Sequence, residues 1–238
     1  MNARILLVLI LFAGAAFAAN SYVIAVDASG SMAYKVDGVR KFITVQDALV
    51  CMLGSMKPGD EMAIFVFEDL GKVTLVQNFT TDKGGLESAI RGMTSTYGGS
   101  DLPSGINVSS TFALANARNP NKFIIVISDG GSATAALFDT AAHFHRAGIT
   151  KMQVVGIGVD TNVRPGMALE GIADNGGGSF YTTDDYSTTC ATLKAAYEDT
   201  AVRGGGIDWW PLGILVLIAI ALAYVAWRYL ARPRTGWE

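Results

Sequence analysis

Histidine, cysteine and charge are all scarce in this chain. Its 238 residues include two histidines and two cysteines, 16% of them are charged, and the formal net charge is −3. Nucleic-acid-binding proteins usually carry an excess of basic residues, and this chain does not, so no nucleic-acid partner is predicted. The cysteines have no zinc-type spacing, and a catalytic cysteine would need a partner base, so neither chemistry is predicted.

The few histidines and cysteines are predicted to be structural. His143 and His145 lie two apart on a predicted helix and face different directions, which is typical of surface or boundary residues. Cys51 and Cys190 fall in apparently helical, partly apolar stretches. They could pair in an oxidising compartment, but buried free thiols are common core filling. We favour free thiols, and the sequence alone leaves a disulfide open.

Apolar segments at both ends account for part of the 50% hydrophobic content. Residues 1–18 carry an early arginine, an apolar run and an A-x-A-type cleavage site, which predicts a secretory signal peptide. An uncleaved anchor is the alternative, but an apolar run of roughly fifteen residues is short for a membrane span.

Residues 209–230 are predicted to form a transmembrane helix. They reach about the 20 residues that a span needs, with aromatic residues near both ends. Arginines follow the segment and Asp208 precedes it, so the tail, residues 231–238, is predicted to be cytoplasmic. A glycine-rich linker, residues 203–208, joins the helix to the body of the protein. The body is therefore expected outside the cytoplasm, in a periplasm or on a cell surface.

The body alternates apolar, strand-like runs with amphipathic stretches. Strands are predicted at residues 22–26, 61–67, 122–127, 152–159 and 179–181, and an antiparallel edge strand at 72–78. Helices are predicted at residues 39–56, 82–93, 102–117, 134–147, 167–174 and 187–201. This alternation predicts an α/β fold over residues 21–202: a doubly wound, mostly parallel sheet with helices on both faces.

The stretch from Asp27 to Ser31, with the sequence Asp-Ala-Ser-Gly-Ser, follows the first predicted strand. Residues two apart in an extended backbone point the same way, so one carboxylate and two hydroxyls can converge. Converging oxygens at the carboxyl end of a parallel strand suit a small hard cation, most obviously Mg²⁺. Asp and Ser are also N-cap residues, so a helix cap is the alternative interpretation of this segment alone.

Two further loops offer oxygen ligands. Ser128-Asp129-Gly130 ends another buried strand, and Gly98-Gly99-Ser100 leads into the helix that precedes that strand. Ligands of doubly wound sheets bind outside the carboxyl ends of the strands, where the winding reverses. If the two strands are central neighbours, the side chains of Asp27, Asp129 and Ser100 meet in one crevice.

Together the three segments resemble the metal-ion-dependent adhesion site of a von Willebrand factor type A domain. The resemblance implies that Ser29, Ser31 and Ser100 coordinate the ion directly or nearly so. Asp27 and Asp129 would accept hydrogen bonds from metal-bound water and orient the serines. Ser100 stands where threonine is most often found, and it keeps the oxygen ligand. The rim that contacts a partner would comprise Gly98, Gly99, Asp101 and Gly130.

These features predict a membrane-anchored, extracytoplasmic binding module rather than an enzyme. An Asp or Glu carboxylate of a protein partner would complete a Mg²⁺ site, with Mn²⁺ or Ca²⁺ as alternative ions. A subunit of an envelope complex is favoured over a free-standing surface adhesin, because no second folded domain is evident. A magnesium-dependent phosphoryl-transfer enzyme is the remaining alternative. It is disfavoured because Ser29 replaces the second carboxylate of an Asp-x-Asp motif.

Two other acidic segments have simpler interpretations. Asp184-Asp185 is predicted to be a cap or turn before the last helix, and Asp101 either bonds within its loop or caps the next helix. Asp160-Thr161-Asn162 is a weaker candidate for shaping the rim of the crevice.

Overall fold

The computed structural model describes residues 19–36 and 38–200. The predicted signal peptide, linker, transmembrane helix and tail all lie outside the described residues. Within the described ranges, no helix combines the length and the apolar character needed to cross a membrane.

A six-stranded sheet lies between two layers of helices in the described chain. The strands of this sheet are β1 (Asn20–Asp27), β2 (Glu61–Phe67), β3 (Val73–Thr80), β4 (Asn121–Ser128), β5 (Lys151–Ile157) and β6 (Phe180–Thr183). The helices are α1 (Lys41–Leu53), α2 (Lys83–Gly92), α3 (Leu102–Asn116), α4 (Leu137–Ala147), α5 (Arg164–Asn175) and α6 (Tyr186–Asp199).

The strands lie in the order β3-β2-β1-β4-β5-β6. β3 pairs antiparallel with β2, and the other neighbouring strands pair in parallel. The chain therefore builds outward from β1 on one side and restarts at β4 on the other. The winding reverses between β1 and β4, whose carboxyl ends lie side by side with Val26 opposite Ile127. The predicted α/β fold and its antiparallel edge strand are confirmed.

Alternate residues of each central strand enter two separate cores. In β1, Tyr22, Ile24 and Val26 pack on the face covered by α1, α2 and α6. Val23 and Ala25 pack on the face covered by α3, α4 and α5. Because both faces are covered, β1 reads as an almost continuous apolar run, as buried parallel strands do. The two cores cover both faces of the sheet, and the loops lie at its carboxyl edge.

Aspartates start three of the helices. Asp82 accepts a hydrogen bond from the backbone N of Gly84 at 3.0 Å, at the start of α2. Asp101 accepts one from Ser104 N at 3.1 Å, and Asp185 accepts one from Ser187 N at 2.8 Å, at the starts of α3 and α6. Each carboxylate satisfies an amide that has no partner inside its helix. The predicted caps at Asp101 and Asp185 are confirmed.

Some predicted helix ends shift in the folded chain. The helix predicted from residue 39 begins at Lys41, because Val39–Arg40 pairs with Lys35–Val36 in a short antiparallel ladder. The helix predicted from residue 134 begins at Leu137, after a turn in which Leu137 N donates to the Thr134 carbonyl at 3.1 Å. It ends at Gly148, whose φ of 119° lies in the left-handed region.

The prediction of free thiols is wrong. Cys51 on α1 and Cys190 on α6 form a disulfide, with their Cα atoms 6.0 Å apart. The two helices lie side by side on the same face of the sheet, and both cysteines are partly exposed. The cysteines are 139 residues apart in sequence, so only the packing of α1 against α6 brings them together. The predicted surface positions of His143 and His145 are confirmed, since both are exposed on α4.

Candidate metal site

Asp27 ends β1 at the point where the winding reverses, and its side chain is fully buried. Its Oδ1 accepts a hydrogen bond from Ser29 N at 2.9 Å. Its Oδ2 accepts from Ser128 Oγ at 2.7 Å and from Ser100 Oγ at 2.9 Å. A buried carboxylate is costly unless it has such partners. Asp27 thus connects β1, the end of β4 and the loop that precedes α3.

The two serines after Asp27 extend this network toward β4. The Oγ atoms of Ser29 and Ser31 lie 3.0 Å apart, and Ser31 Oγ donates to Asp129 Oδ1, also at 3.0 Å. Ser29 is buried and Ser31 is partly exposed. The structure therefore brings together the five residues predicted as ligands. Ser100 bonds Asp27, the side chains of Ser29, Ser31 and Asp129 bond one another, and Ser29 N joins the two groups.

Backbone hydrogen bonds hold the loop after β1 in place. Ala28 N donates to the Phe67 carbonyl at 2.9 Å, and Gly30 N donates to the Gly98 carbonyl at 2.8 Å. A Cβ atom at Gly30 would lie 3.2 Å from backbone atoms of Tyr97 and Gly98. Glycine at position 30 therefore permits the close approach of two loops that carry predicted ligands.

The loop before α3 places Ser100 beside a hydroxyl that the sequence prediction missed. Ser132 Oγ lies 3.1 Å from Ser100 Oγ and accepts a hydrogen bond from Leu102 N at 3.0 Å. Asp101, predicted to line the partner-binding rim, uses both carboxylate oxygens on Ser104 as the cap of α3. The cap role of Asp101 is therefore visible, whereas a role in partner contact remains a prediction.

Gly130 shapes the third loop. Its φ is 83°, in the left-handed region, and its backbone N donates to Ser128 Oγ at 3.0 Å. A Cβ atom there would lie 2.9 Å from Cβ of Pro165, in the first turn of α5. Only glycine suits this backbone conformation and this contact, and the resulting turn lets Asp129 face Ser31.

The sequence prediction also missed Lys41, the first residue of α1. Its Nζ lies 3.1 Å from Asp129 Oδ2, and the two side chains are only 14% and 6% exposed. Lysine has no side-chain oxygen to act as a metal ligand, and no sequence motif links α1 to the loop after β4. Ser128 had a visible signal, because it is a hydroxyl next to Asp129 at the end of a predicted strand.

The donor set fits a hard cation. Burial raises the pKa of Asp27, and hydrogen bonds from Ser29, Ser128 and Ser100 oppose that shift by stabilising the carboxylate. Hydroxyl and carboxylate oxygens suit Mg²⁺, Mn²⁺ or Ca²⁺, whereas zinc sites use sulfur and nitrogen more often. Among the described residues, no group of three or more His, Cys, Asp or Glu side chains is placed to hold a metal. The candidate site therefore differs from metal sites built of His, Cys, Asp and Glu side chains, because three of its five predicted ligands are serines.

Asp160, the weaker rim candidate, lies beside the site rather than in it. A polar cavity of about 480 Å³ opens at the ends of β5 and β6, and Asp160 and Asp184 are among its lining residues. Asp160 Oδ1 accepts hydrogen bonds from the backbone N and the Nδ2 of Asn162, at 2.8 and 3.1 Å. None of the five predicted ligands lines this cavity.

Residues 22–132 match the family model of the von Willebrand factor type A domain. The matched segment includes all five predicted ligands and ends at Ser132. No curated protein matches the chain.

Solved structures share the fold. The conserved hypothetical protein BatB from Bacteroides thetaiotaomicron has a TM-score of 0.64 and 17% identity, over 76% of this chain and 98% of that one. An aerotolerance-related membrane protein from Bacteroides fragilis, with multiple mutations to serines, has a TM-score of 0.62 and 17% identity, with the same coverage. Proximal thread matrix protein 1 from the mussel byssus, with a zinc-occupied MIDAS motif, has a TM-score of 0.60 and 15% identity. That match covers 77% of this chain and 45% of the mussel protein.

Proposed function

We propose that residues 21–202 form a von Willebrand factor type A domain that captures a protein partner through a divalent cation. The observation that carries this proposal is the meeting of three loops at the switch point of the sheet. They bring the hydroxyls of Ser29, Ser31 and Ser100 into one network with the carboxylates of Asp27 and Asp129. The match of residues 22–132 to the domain family supports it.

In this proposal the serines are the ligands and the aspartates position them. Asp27 orients Ser100 through Oδ2, and Asp129 orients Ser31 through Oδ1. Neutral hydroxyl ligands leave most of the charge of the ion uncompensated. When bound, Mg²⁺, or Mn²⁺ or Ca²⁺ in its place, supplies the positive charge that attracts an Asp or Glu carboxylate of the partner.

Exposed apolar side chains near the site favour a protein as the partner. Tyr34, Leu70 and Tyr97 are 71%, 93% and 93% exposed, and Tyr34 N donates to the Ser31 carbonyl at 3.3 Å. Tyr97 directly precedes Gly98, and the turn that carries Leu70 packs on the same loop, because a Cβ atom at Gly99 would lie 3.1 Å from Asp69 Oδ1. Exposed aromatic and aliphatic side chains are typical of protein interfaces. We therefore propose a partner with apolar residues beside its carboxylate.

We propose a non-enzymatic role for the same residues. Ser29 stands where a phosphoryl-transfer enzyme of the Asp-x-Asp type carries its second carboxylate. Lys41 pairs with Asp129 at 3.1 Å. A phosphatase assay separates the two functions, and we expect no metal-dependent turnover.

The membrane setting is proposed from segments outside the described residues. We propose a cleaved signal peptide, an extracytoplasmic domain, a single span at residues 209–230 and a cytoplasmic tail. One similar structure is of an aerotolerance-related membrane protein, which supports a membrane setting here. A subunit of an envelope complex is the favoured assembly, with a free-standing surface adhesin as the alternative.

Affinity capture from native membranes tests the proposed function. The full-length chain is compared in Mg²⁺, in chelator, and after Mg²⁺ is restored, together with Asp27→Ala. Asp139→Ala, which removes an exposed carboxylate in the first turn of α4, is the matched control. We expect a partner that is recovered by the wild type and the control in Mg²⁺, and is lost in chelator and with Asp27→Ala. Equal recovery with Asp27→Ala would contradict the proposal.

A further inference from the structure

We infer that Lys41 is a built-in competitor of the divalent cation, so that metal binding to this site exchanges one cation for another. The inference rests on the proposed function and concerns how that site is regulated. It follows from the pairing of the Lys41 ammonium with Asp129, because the Asp129 carboxylate also accepts a hydrogen bond from the proposed ligand Ser31.

Asp129 is shared between the lysine and a proposed ligand. Its Oδ1 accepts a hydrogen bond from Ser31 Oγ at 3.0 Å, and its Oδ2 accepts one from Lys41 Nζ at 3.1 Å. A cation held by Ser31 would therefore share one carboxylate with the ammonium. Both side chains of the ion pair are largely buried, so solvent and salt screen the repulsion between the two cations only weakly.

The place of Lys41 in α1 is not explained by the helix itself. A lysine at the first helical residue faces the positive end of the helix dipole, and α1 has no acidic residue in its first turn to offset it. The Lys41 backbone N donates to the Tyr34 carbonyl at 3.0 Å, which holds the start of the helix beside the site. Asp129 is thus the group that accounts for the buried ammonium.

Two exposed aspartates share the lining of a cavity with Lys41. Lys41 lines a small cavity together with Asp184 and Asp185, at the ends of β5 and β6. This cavity has a volume of only about 10 Å³, and both aspartates are exposed, so an ammonium released from Asp129 would move into solvent beside them.

The exchange makes metal affinity depend on the charge of residue 41. With Lys41 on Asp129, the metal-free site already contains a counter-ion, and a divalent cation must displace it. Removing the ammonium leaves Asp129 free to support the metal ligands. We therefore expect binding to tighten about tenfold or more when the charge is removed.

Calorimetric titration with MgCl₂ alone, and then with MnCl₂ alone, tests this inference on the full-length chain. Lys41→Met removes the charge and keeps most of the length of the side chain, whereas Lys41→Arg keeps the charge. Lys151→Met is the matched control, because Lys151 pairs with Asp199 at 3.6 Å and starts β5 at the opposite edge of the sheet. We expect about tenfold or tighter binding for Lys41→Met, and values within about twofold of the wild type for the other two variants.

Equal or weaker metal binding by Lys41→Met would overturn the inference, as would equal tightening by Lys41→Arg. Circular dichroism of each variant in chelator checks folding, and Lys41→Gln replaces Lys41→Met if that variant does not fold. Asp27→Ala provides the reference for a chain without the site. If neither the wild type nor Lys41→Met binds metal, the proposed function fails together with the inference. If the wild type binds and Lys41→Met does not differ from it, only the inference fails.

Discussion

At the residue scale, Ser100 shows what a single hydroxyl contributes. Its Oγ donates to the buried Asp27 carboxylate at 2.9 Å and lies 3.1 Å from Ser132 Oγ. Threonine is usual at this position in the domain family that the motif resembles, and it carries the same oxygen. The hydroxyl rather than the size of the side chain should therefore decide metal binding.

We predict that Ser100→Ala weakens Mg²⁺ binding about tenfold or more, because it removes a proposed ligand and leaves Asp27 with one donor fewer. Ser100→Thr should bind within about threefold of the wild type, since it keeps the oxygen. Calorimetric titration measures both affinities. Unchanged affinity in Ser100→Ala would remove Ser100 from the ligand set.

Far from the site, Tyr197 and Asp60 form a buried pair at the amino edge of the sheet. Tyr197 OH donates to Asp60 Oδ2 at 2.5 Å, and Asn20 N donates to Asp60 Oδ1 at 2.8 Å. Tyr197 is 1% exposed and Asp60 is 2% exposed. Burial raises the pKa of Tyr197. The Asp60 carboxylate raises that pKa further, because it accepts a hydrogen bond from the Tyr197 hydroxyl.

Tyr197→Phe should lower the free energy of unfolding by about 1.5–3 kcal/mol near pH 7, because Asp60 loses a charge-assisted hydrogen bond. The phenol also predicts alkaline sensitivity. Above about pH 10 the unfolded chain loses the phenol proton while the folded chain keeps it, so wild-type stability falls as pH rises. The fall should be shallower in Tyr197→Phe, and part of it should remain because burial also raises the pKa of Tyr22. Denaturant titrations from pH 7 to pH 11 check both points; parallel curves would contradict the assignment.

At the scale of elements, the disulfide between α1 and α6 connects the start of the domain to its last helix. α1 carries Lys41 at one end and Cys51 near the other, and α6 is the last described element before the segment predicted to lead to the membrane. A covalent link opposes independent sliding of α6 along α1.

Replacing both cysteines by serine should lower the free energy of unfolding by about 2–4 kcal/mol, since the bond closes a loop of 139 residues and restricts the unfolded chain. Denaturant unfolding under oxidising conditions measures the loss. Adding reductant to the wild type should reproduce most of it and leave the double variant unchanged. An equal effect of reductant on the double variant would point to a cause other than this bond.

At the scale of the whole molecule, the two cores and the site are separate. The cores lie on the two faces of the sheet, whereas the site lies at its carboxyl edge and is held together by its own hydrogen bonds. Folding should therefore not require the ion.

We predict that chelation leaves the far-ultraviolet circular dichroism of the full-length chain unchanged. Added Mg²⁺ should stabilise the folded chain by mass action, by about 2.7 kcal/mol at a hundredfold excess over its dissociation constant. Asp27→Ala should show no such Mg²⁺ dependence in thermal unfolding. Loss of secondary structure on chelation would mean that the ion is part of the fold.

The fold was predictable because its signals are local. Continuous apolar runs such as β1 and β4 indicate strands buried on both faces, and their alternation with amphipathic stretches indicates helices between them. The meeting of Asp27, Ser100 and Asp129 followed from one rule about where such sheets bind ligands. Helix starts were less predictable, because Val39 and Arg40 have helical periodicity but pair in a short ladder.

Local pattern thus determined the class of fold, the sheet edge that carries the site and the oxygens gathered there. Tertiary structure alone decided the rest: the Lys41–Asp129 ion pair across 88 residues, the Ser100–Ser132 contact across 32, and the Cys51–Cys190 bond across 139. These pairings depend on how α1, α6 and the loops pack against the sheet. Periodicity along the chain specifies which face of a helix or strand is buried. It contains no information about which distant side chain will contact a residue on the other face or at the end of that element.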